Sequence, residues 1–317
     1  MMPVKRWLQR VLLLSLAVVA ACGGEQAAND ADARTLVSVW AHSGQEAERN
    51  TLSDQVVRFN ESNSTIRVKL NFIPESTYNT QVQAAALAGD LPDLLEFDGP
   101  YLYSYVWQGH LAPLDELLAD STREDLLPSI IEQGSYGGRL YSVGVFDSGL
   151  ALYADVEKIR ATGIRLPGGA ESAWSIEEFN SLLNKLAEDD PDGAVLDLKL
   201  NYGGEWYTYA FSPVLQSAGA DLIDRSNYQA ADGILNSSEA AASLRHVGSW
   251  ISQGLVDPNL DDAAFVSGRV AISWAGHWEQ ARYAEALGDN LLLLPLPDFG
   301  HGSRSGQGSW NWGISRY

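Results

Sequence analysis

Apolar and polar positions along this chain follow two rhythms, one of period two and one of helical spacing, and they alternate. Thr35 to Trp40 (TLVSVW) is a short apolar run that predicts a buried strand. Ser43 and Glu46 have capping-box spacing, and Leu52, Val56 and Phe59 then recur at helical spacing to about Glu61. Ile66, Val68, Leu70 and Phe72 alternate with Arg67, Lys69 and Asn71, as in a strand with one polar face. A second helix is predicted from about Thr77 to Ala88, stopped by Gly89. Asp93 to Phe97 (DLLEF) follows as a strand. This strand–helix–strand–helix–strand order predicts a parallel α/β sheet.

The same alphabet restarts further on. Tyr136-Gly137-Gly138-Arg139 reads as a tight hairpin turn leading into a strand from Leu140 to Phe146. Trp174 to Phe179 (WSIEEF) combines a capping box, Ser175 with Glu178, and a hydrophobic staple, Trp174 with Phe179. That helix should run to about Glu188. Leu196, Leu198, Leu200 and Tyr202 alternate with polar residues as a strand. A helix is expected from about Ser238 to Gln253, and buried strands at Val270 to Trp274 (VAISW) and Leu291 to Leu294. Two α/β lobes result, with a boundary near Asp147.

The N-terminus changes the picture. Lys5, Arg6 and Arg10 precede an uncharged run of 11 residues, Val11 to Ala21, too short to span a bilayer but suited to a secretory signal. It ends in Val-Ala-Ala-Cys-Gly, which resembles a bacterial lipobox, and Cys22 is the only cysteine in the chain. Residues 1–21 are therefore read as a lipoprotein signal peptide, Cys22 as the lipidated residue, and residues 22–34 as a flexible tether. The expected location is outside the cell membrane, in the periplasm or on the outer face, held only by lipid. The 317 residues suit two domains. A net charge of −20 argues against nucleic acid and anionic membrane surfaces as partners.

In open parallel α/β sheets, ligands bind beyond the carboxyl ends of the strands. That rule selects four loops: His42 and Ser43 after the first strand, Asp98 and Tyr101 after DLLEF, Glu205-Trp206-Tyr207 after the strand ending at Tyr202, and Trp278 after VAISW. Carboxylates and imidazoles bond hydroxyl edges, and aromatic rings cover C–H faces, so these loops suit a sugar. Most of the ten tryptophans should nonetheless be core residues; the polar neighbours of Trp206 and Trp278 single those two out. The chain has no phosphate-binding P-loop, no G-x-S-x-G and no H-E-x-x-H pair, and its five histidines lack metal-ligand spacing. A catalytic role, a cofactor and a metal are not expected.

Several segments resemble family 1 extracellular solute-binding proteins, the maltose-binding-like receptors of bacterial sugar importers. Gln83 to Asp93 (QAAALAGDLPD) is similar to that family's "aGdlPDv" element, and Gly109 to Asp115 to its "G-x-L-x-P-L-D". Tyr136 to Val143 resembles its "dGK-x-Y-g-lP" hairpin, although Arg139 stands where lysine is usual and Val143-Gly144-Val145 lacks the proline. Phe265 to Ile272 resembles "F-x-x-Gk-x-Am" and leads into Gly276-His277-Trp278, similar to "G-x-W".

The resemblance implies a type II periplasmic-binding-protein fold: two lobes, each a sheet flanked by helices, closing on ligand in the cleft between them. Lobe I would take residues 35–146, lobe II 147–307, and 308–317 would return to lobe I, with the rest of the family's C-terminus missing. It further implies that Trp278 stacks on a sugar ring, and that Asp98, Tyr101, His42 and Ser43 line the lobe I side. Asp147 would contact ligand at the first crossing, Glu205, Trp206 and Tyr207 from lobe II, and Gly308 with Trp310 at the return. The implied protein is the monomeric sugar-binding component of an ABC importer, docking on permease subunits. The alternatives are a secreted carbohydrate-active enzyme, or a receptor for a polyol or glycerophosphodiester.

Overall fold

A computed structural model describes residues 34–308 and 310–316. In chain order the strands are β1 (Thr35–His42), β2 (Ile66–Ile73), β3 (Leu94–Asp98), β4 (Ser135–Tyr136), β5 (Arg139–Leu140), β6 (Val143–Gly144), β7 (Ser148–Asp155), β8 (Leu196–Asp197), β9 (Val256–Asp257), β10 (Ile272–Gly276), β11 (Leu291–Leu294), β12 (Gln307–Gly308) and β13 (Trp310–Ile314). One sheet has the order β2-β1-β3-β13-β6 and a second the order β11-β7-β10-β8-β9, with β12 on β7. The chain leaves the first sheet between Gly144 and Ser148 and returns between Gly308 and Trp310.

In the first sheet β1 runs parallel to β2 and β3, in the register Thr35↔Ile66 and Val39↔Leu94. Their carboxyl ends, His42, Ile73 and Asp98, therefore meet at one edge. β13 is antiparallel to β3 and starts at that edge, pairing Trp310 with Asp98. A core of Ile73, Tyr78, Val82, Leu95, Phe97, Leu102 and Tyr105 lies behind it. The second sheet brings the end of β10 beside the start of β7, pairing Gly276 with Leu150, and β12 pairs Gly308 with Ser148.

The amphipathic helix Ile176–Glu188 shows how local pattern becomes packing. Ser175 Oγ accepts from the Glu178 N–H at 3.2 Å, and Glu178 Oε2 accepts from the Ser175 N–H at 3.0 Å. Ile176, Phe179, Leu182, Leu183 and Leu186 are buried, one face of a 3.6-residue period. Trp174 touches Phe179 at 6.1 Å between ring centroids, as the staple requires. The β4–β5 turn is built on Gly137 and Gly138, with φ of +57° and +79°, which a two-residue hairpin turn of this hand demands.

Three local expectations change. The first helix starts at Glu46, and Glu48 Oε2 accepts from the Gln45 N–H at 3.3 Å, because Ser43 is still tied to β2 through the Ile73 carbonyl at 2.9 Å. The strand expected over Leu140 to Phe146 is broken, since Tyr141 and Ser142 donate to the Gly134 carbonyl. The strand expected over Leu196 to Tyr202 stops at Asp197. There the Asp197 side chain accepts from the Lys199 N–H at 2.7 Å, and Lys199 turns to φ +52°.

Candidate functional site

Because β1, β2 and β3 end at one edge, His42, the first turn after β2 and Asp98 converge there. His42 is 6% exposed, and its Nδ1 lies 2.8 Å from Glu96 Oε2, which also accepts the His42 backbone N–H at 2.9 Å. Nε2 faces Glu48 at 3.6 Å. Burial works against a charge on this imidazole, but the Glu96 bond and the Glu96, Glu48 and Glu75 carboxylates raise its pKa on balance. Its ring stacks on Trp310 at 3.7 Å between centroids and 8° between planes. The Tyr78 ring meets the indole edge-on at 5.6 Å, while its hydroxyl donates to the Glu96 carbonyl. Trp310 is thus held half-buried at the rim. His42, Glu48 and Glu96 bring three potential metal-ligand atoms within 4.8 Å of one another.

On the second lobe, Glu205 precedes the helix Trp206–Ser217. Trp278 is half-buried on a bed of aromatic rings, at 5.9 Å from Trp206 and 6.3 Å from Tyr209. Its ring folds back over Gly276, where a Cβ would stand 2.1 Å from Cζ3. The next residue, Glu279, is buried and accepts from Lys199 Nζ at 3.2 Å and from the Tyr202 hydroxyl at 2.9 Å. Lys199 is 1% exposed and also pairs with Asp262 at 2.9 Å and Asp197 at 3.7 Å. Burial opposes its charge, yet Tyr202, Tyr283, Asp197 and Glu279 around it raise its pKa on balance. This buried ionic network fixes the loop that carries Trp278.

The lobes touch through Glu205. Tyr101 donates its hydroxyl to Glu205 Oε2 at 3.3 Å, and Asn79 Nδ2 approaches Oε1 at 3.5 Å. Burial, then the Glu205 and Glu75 charges, push the Asp98 pKa to about 8. Burial likewise raises that of Glu75, with His42 pulling the other way. Ser148 Oγ bridges the Tyr209 hydroxyl and His277 Nδ1, each at 3.2 Å. A cavity of about 210 Å³, lined by Asp155, Phe265, Val270 and Leu287, lies at the opposite end of β7.

Of the residues singled out from sequence, the fold gathers His42, Asp98, Tyr101, Glu205, Trp278 and Trp310 around this contact. Gly308 packs against Tyr209, where a Cβ would come within 3.0 Å of the ring. Trp206 is a correction: it is 6% exposed, in the lobe II core, with its indole N–H on the Leu198 carbonyl at 3.2 Å. It supports Trp278 from below rather than facing the cleft. Tyr207 is exposed, but its hydroxyl is spent on the Leu200 carbonyl at 3.0 Å. Ser43 has its N–H on Ile73 and its carbonyl on Arg49. Asp147 is exposed at the crossing, accepting from Gln133 at 2.8 Å and Gln307 at 3.4 Å. Cys22 and the signal segment lie outside the described residues. Glu75, Asn79, Glu96 and Tyr209 were not anticipated. The strand-end rule applied to β2 would have found the first two, and Tyr209 follows Glu205 by one helical turn.

The family model of bacterial extracellular solute-binding proteins matches residues 43–317. The chain is 26% identical over 152 residues to an uncharacterized lipoprotein from the oleD 5′ region of Streptomyces antibioticus, a match covering 44% of this chain and 34% of that one. It thus spans about a third of the length of that curated relative. The GacH receptor of Streptomyces glaucescens superposes with a TM-score of 0.73 at 24% identity, over 89% of this chain and 71% of the receptor. A cyclic alpha-maltosyl-1,6-maltose binding protein from Arthrobacter globiformis does so with 0.70 at 22%, over 90% and 71%. The fold is that of the two-lobed type II binding proteins, with the Glu205 contact in the cleft between lobes, and the chain belongs to the bacterial extracellular solute-binding protein family.

Proposed function

We propose that the protein is an exported receptor, anchored through lipid on Cys22, that captures a sugar or oligosaccharide between its lobes and delivers it as a monomer to the permease of an ABC importer. The observation that carries the sugar reading is the combination of half-buried aromatic rings, Trp278 on lobe II and Trp310 beside Asp98 on lobe I, with the Glu205 carboxylate where the lobes touch. Rings cover the C–H faces of a sugar, and Asp98, Glu205 and Tyr101 offer partners for its hydroxyl edges. The neighbours support it: the GacH receptor is described in complex with acarbose, and another similar structure is a chitin oligosaccharide binding protein.

A catalytic reading would draw on the same two acids. The test is a thermal-shift screen of the purified protein against a sugar panel, followed by titration of any hit with the parent and with Trp278→Ala. A rise in melting temperature with a sugar, lost in the variant, is expected. No stabilisation by any sugar, or catalytic turnover of an oligosaccharide, would overturn the proposal.

A further inference from the structure

A chain of three polar side chains runs beside Trp278 and ends at an atom that no described residue engages. Ser148 is the first residue of β7, where the chain enters lobe II. Its Oγ lies 3.2 Å from the Tyr209 hydroxyl and 3.2 Å from His277 Nδ1. His277 stands between the end of β10 and Trp278. Two aromatic neighbours fix its ring: Phe146 at 5.3 Å between centroids and 64° between planes, and Trp278 at 5.8 Å and 75°. The imidazole is therefore held steeply inclined to the indole. The residue is exposed, and its Nε2 has no hydrogen-bond partner among the described residues.

Counting donors orders the protons along this chain. Burial pushes the His277 pKa down, with the Glu48 charge opposing, so the ring is neutral at pH 7 and carries one proton. Burial raises that of Tyr209 to about 12, so its hydroxyl stays protonated. Ser148 has one proton to give. If Tyr209 donates to Ser148 and Ser148 to Nδ1, both hydroxyl protons are bonded within the chain, and the imidazole proton lies on Nε2. The reverse order puts that proton on Nδ1 and leaves the half-buried Tyr209 O–H without an acceptor in the chain. The first order satisfies more donors.

We propose that His277 is a sugar-contacting residue that presents an Nε2–H donor to a hydroxyl or ring oxygen of the sugar covering Trp278. The inference rests on the sugar reading and adds to it a residue that sets specificity. A sugar hydroxyl both donates and accepts. The Glu205 carboxylate in the cleft only accepts, so it suits hydroxyl protons and leaves hydroxyl lone pairs unserved. A neutral imidazole with its proton outward supplies the missing donor. Because Ser148 holds the other nitrogen, the ring cannot turn over to offer an acceptor without breaking that bond. The position thus favours an oxygen and disfavours an ammonium substituent, which has donors and no acceptor.

The experiment has two arms. Long-range proton–nitrogen correlation spectra of isotope-labelled protein at neutral pH report the tautomer, with His277 assigned by its absence from the spectrum of His277→Gln. We expect the proton on Nε2; a proton on Nδ1, or a charged ring, overturns the proposal. Calorimetric titration with acarbose, maltotriose and chitotriose then compares the parent with two variants. His277→Phe keeps the aromatic packing and removes the donor, whereas the amide of His277→Gln restores a donor near the Nε2 position. We expect the Phe variant to lose about fivefold in affinity, the worth of one hydrogen bond, and the Gln variant to recover most of it. Unchanged affinity in the Phe variant, or a Gln variant as weak as the Phe one, with melting temperatures showing that both fold, overturns the contact and leaves the sugar reading standing. If none of these sugars, nor any in a wider panel, binds the parent, the sugar reading falls first and this inference with it.

Discussion

Replacing Gly276 with alanine tests whether the Trp278 indole must lie where it does. The Gly276 backbone, at φ −103° and ψ 178°, is extended and open to any residue, so alanine introduces no strain of its own. Its methyl group, however, would stand 2.1, 2.3 and 2.6 Å from three ring carbons of Trp278. Carbon atoms rest about 3.5–4.0 Å apart, so the ring must retreat by roughly 1.5 Å or turn away. Trp206 and Tyr209 block retreat into the lobe, which leaves only movement into the cleft. Overpacking costs about 1–3 kcal/mol, offset by about 0.4–1 kcal/mol from the stiffer unfolded chain. The melting temperature should therefore fall by only a few degrees. Sugar affinity should fall further. Loss of the aromatic face is worth about 2–4 kcal/mol, or roughly thirty- to a thousand-fold in affinity. Calorimetric titration and differential scanning calorimetry on the same variant separate the two effects. An affinity within about twofold of the parent would show that the ring is not part of the binding face, and would remove Trp278 from the site.

Three further outcomes are expected. Lys199→Met leaves buried Asp197 without its cation and Glu279 with Arg282 alone; it should cost about 3–5 kcal/mol of stability, and an unchanged melting temperature would refute the network's role. In the ligand-free protein Asp98 holds a proton up to about pH 8 that the unfolded chain gives up near pH 4, so the folded state binds more protons across that window and stability falls as pH rises through it. Each unit of that shift is worth about 1.4 kcal/mol, so Asp98→Asn should visibly flatten the melting temperature between pH 5 and 8, and an unaltered slope would count against a buried, protonated Asp98. Cys22→Ala should abolish fatty-acid incorporation in metabolic labelling; equal label would refute the anchor.

The parallel order of β1, β2 and β3 was legible because each strand and helix carries its own period, and that order alone puts His42 and Asp98 on one edge. What failed was local pattern read without its distant partners. The alternation from Leu196 to Tyr202 is real, yet the chain turns at Lys199 because that amine pairs with Glu279, 80 residues further on. Trp206 looked exposed between Glu205 and Tyr207, but on a helix successive side chains diverge by about 100°, so the indole can enter the core between two outward neighbours. Glu96 sits in an apolar run, and only the β1–β3 register gives it His42 as a partner. The contact of Tyr101 and Asn79 with Glu205 belongs to neither lobe's sequence. Tyr101, which bonds Glu205, lies 104 residues before it, and the contact exists only once the two sheets face each other. A site of this kind is specified in halves: each half reads as an ordinary strand end, and the chemistry is a property of their meeting.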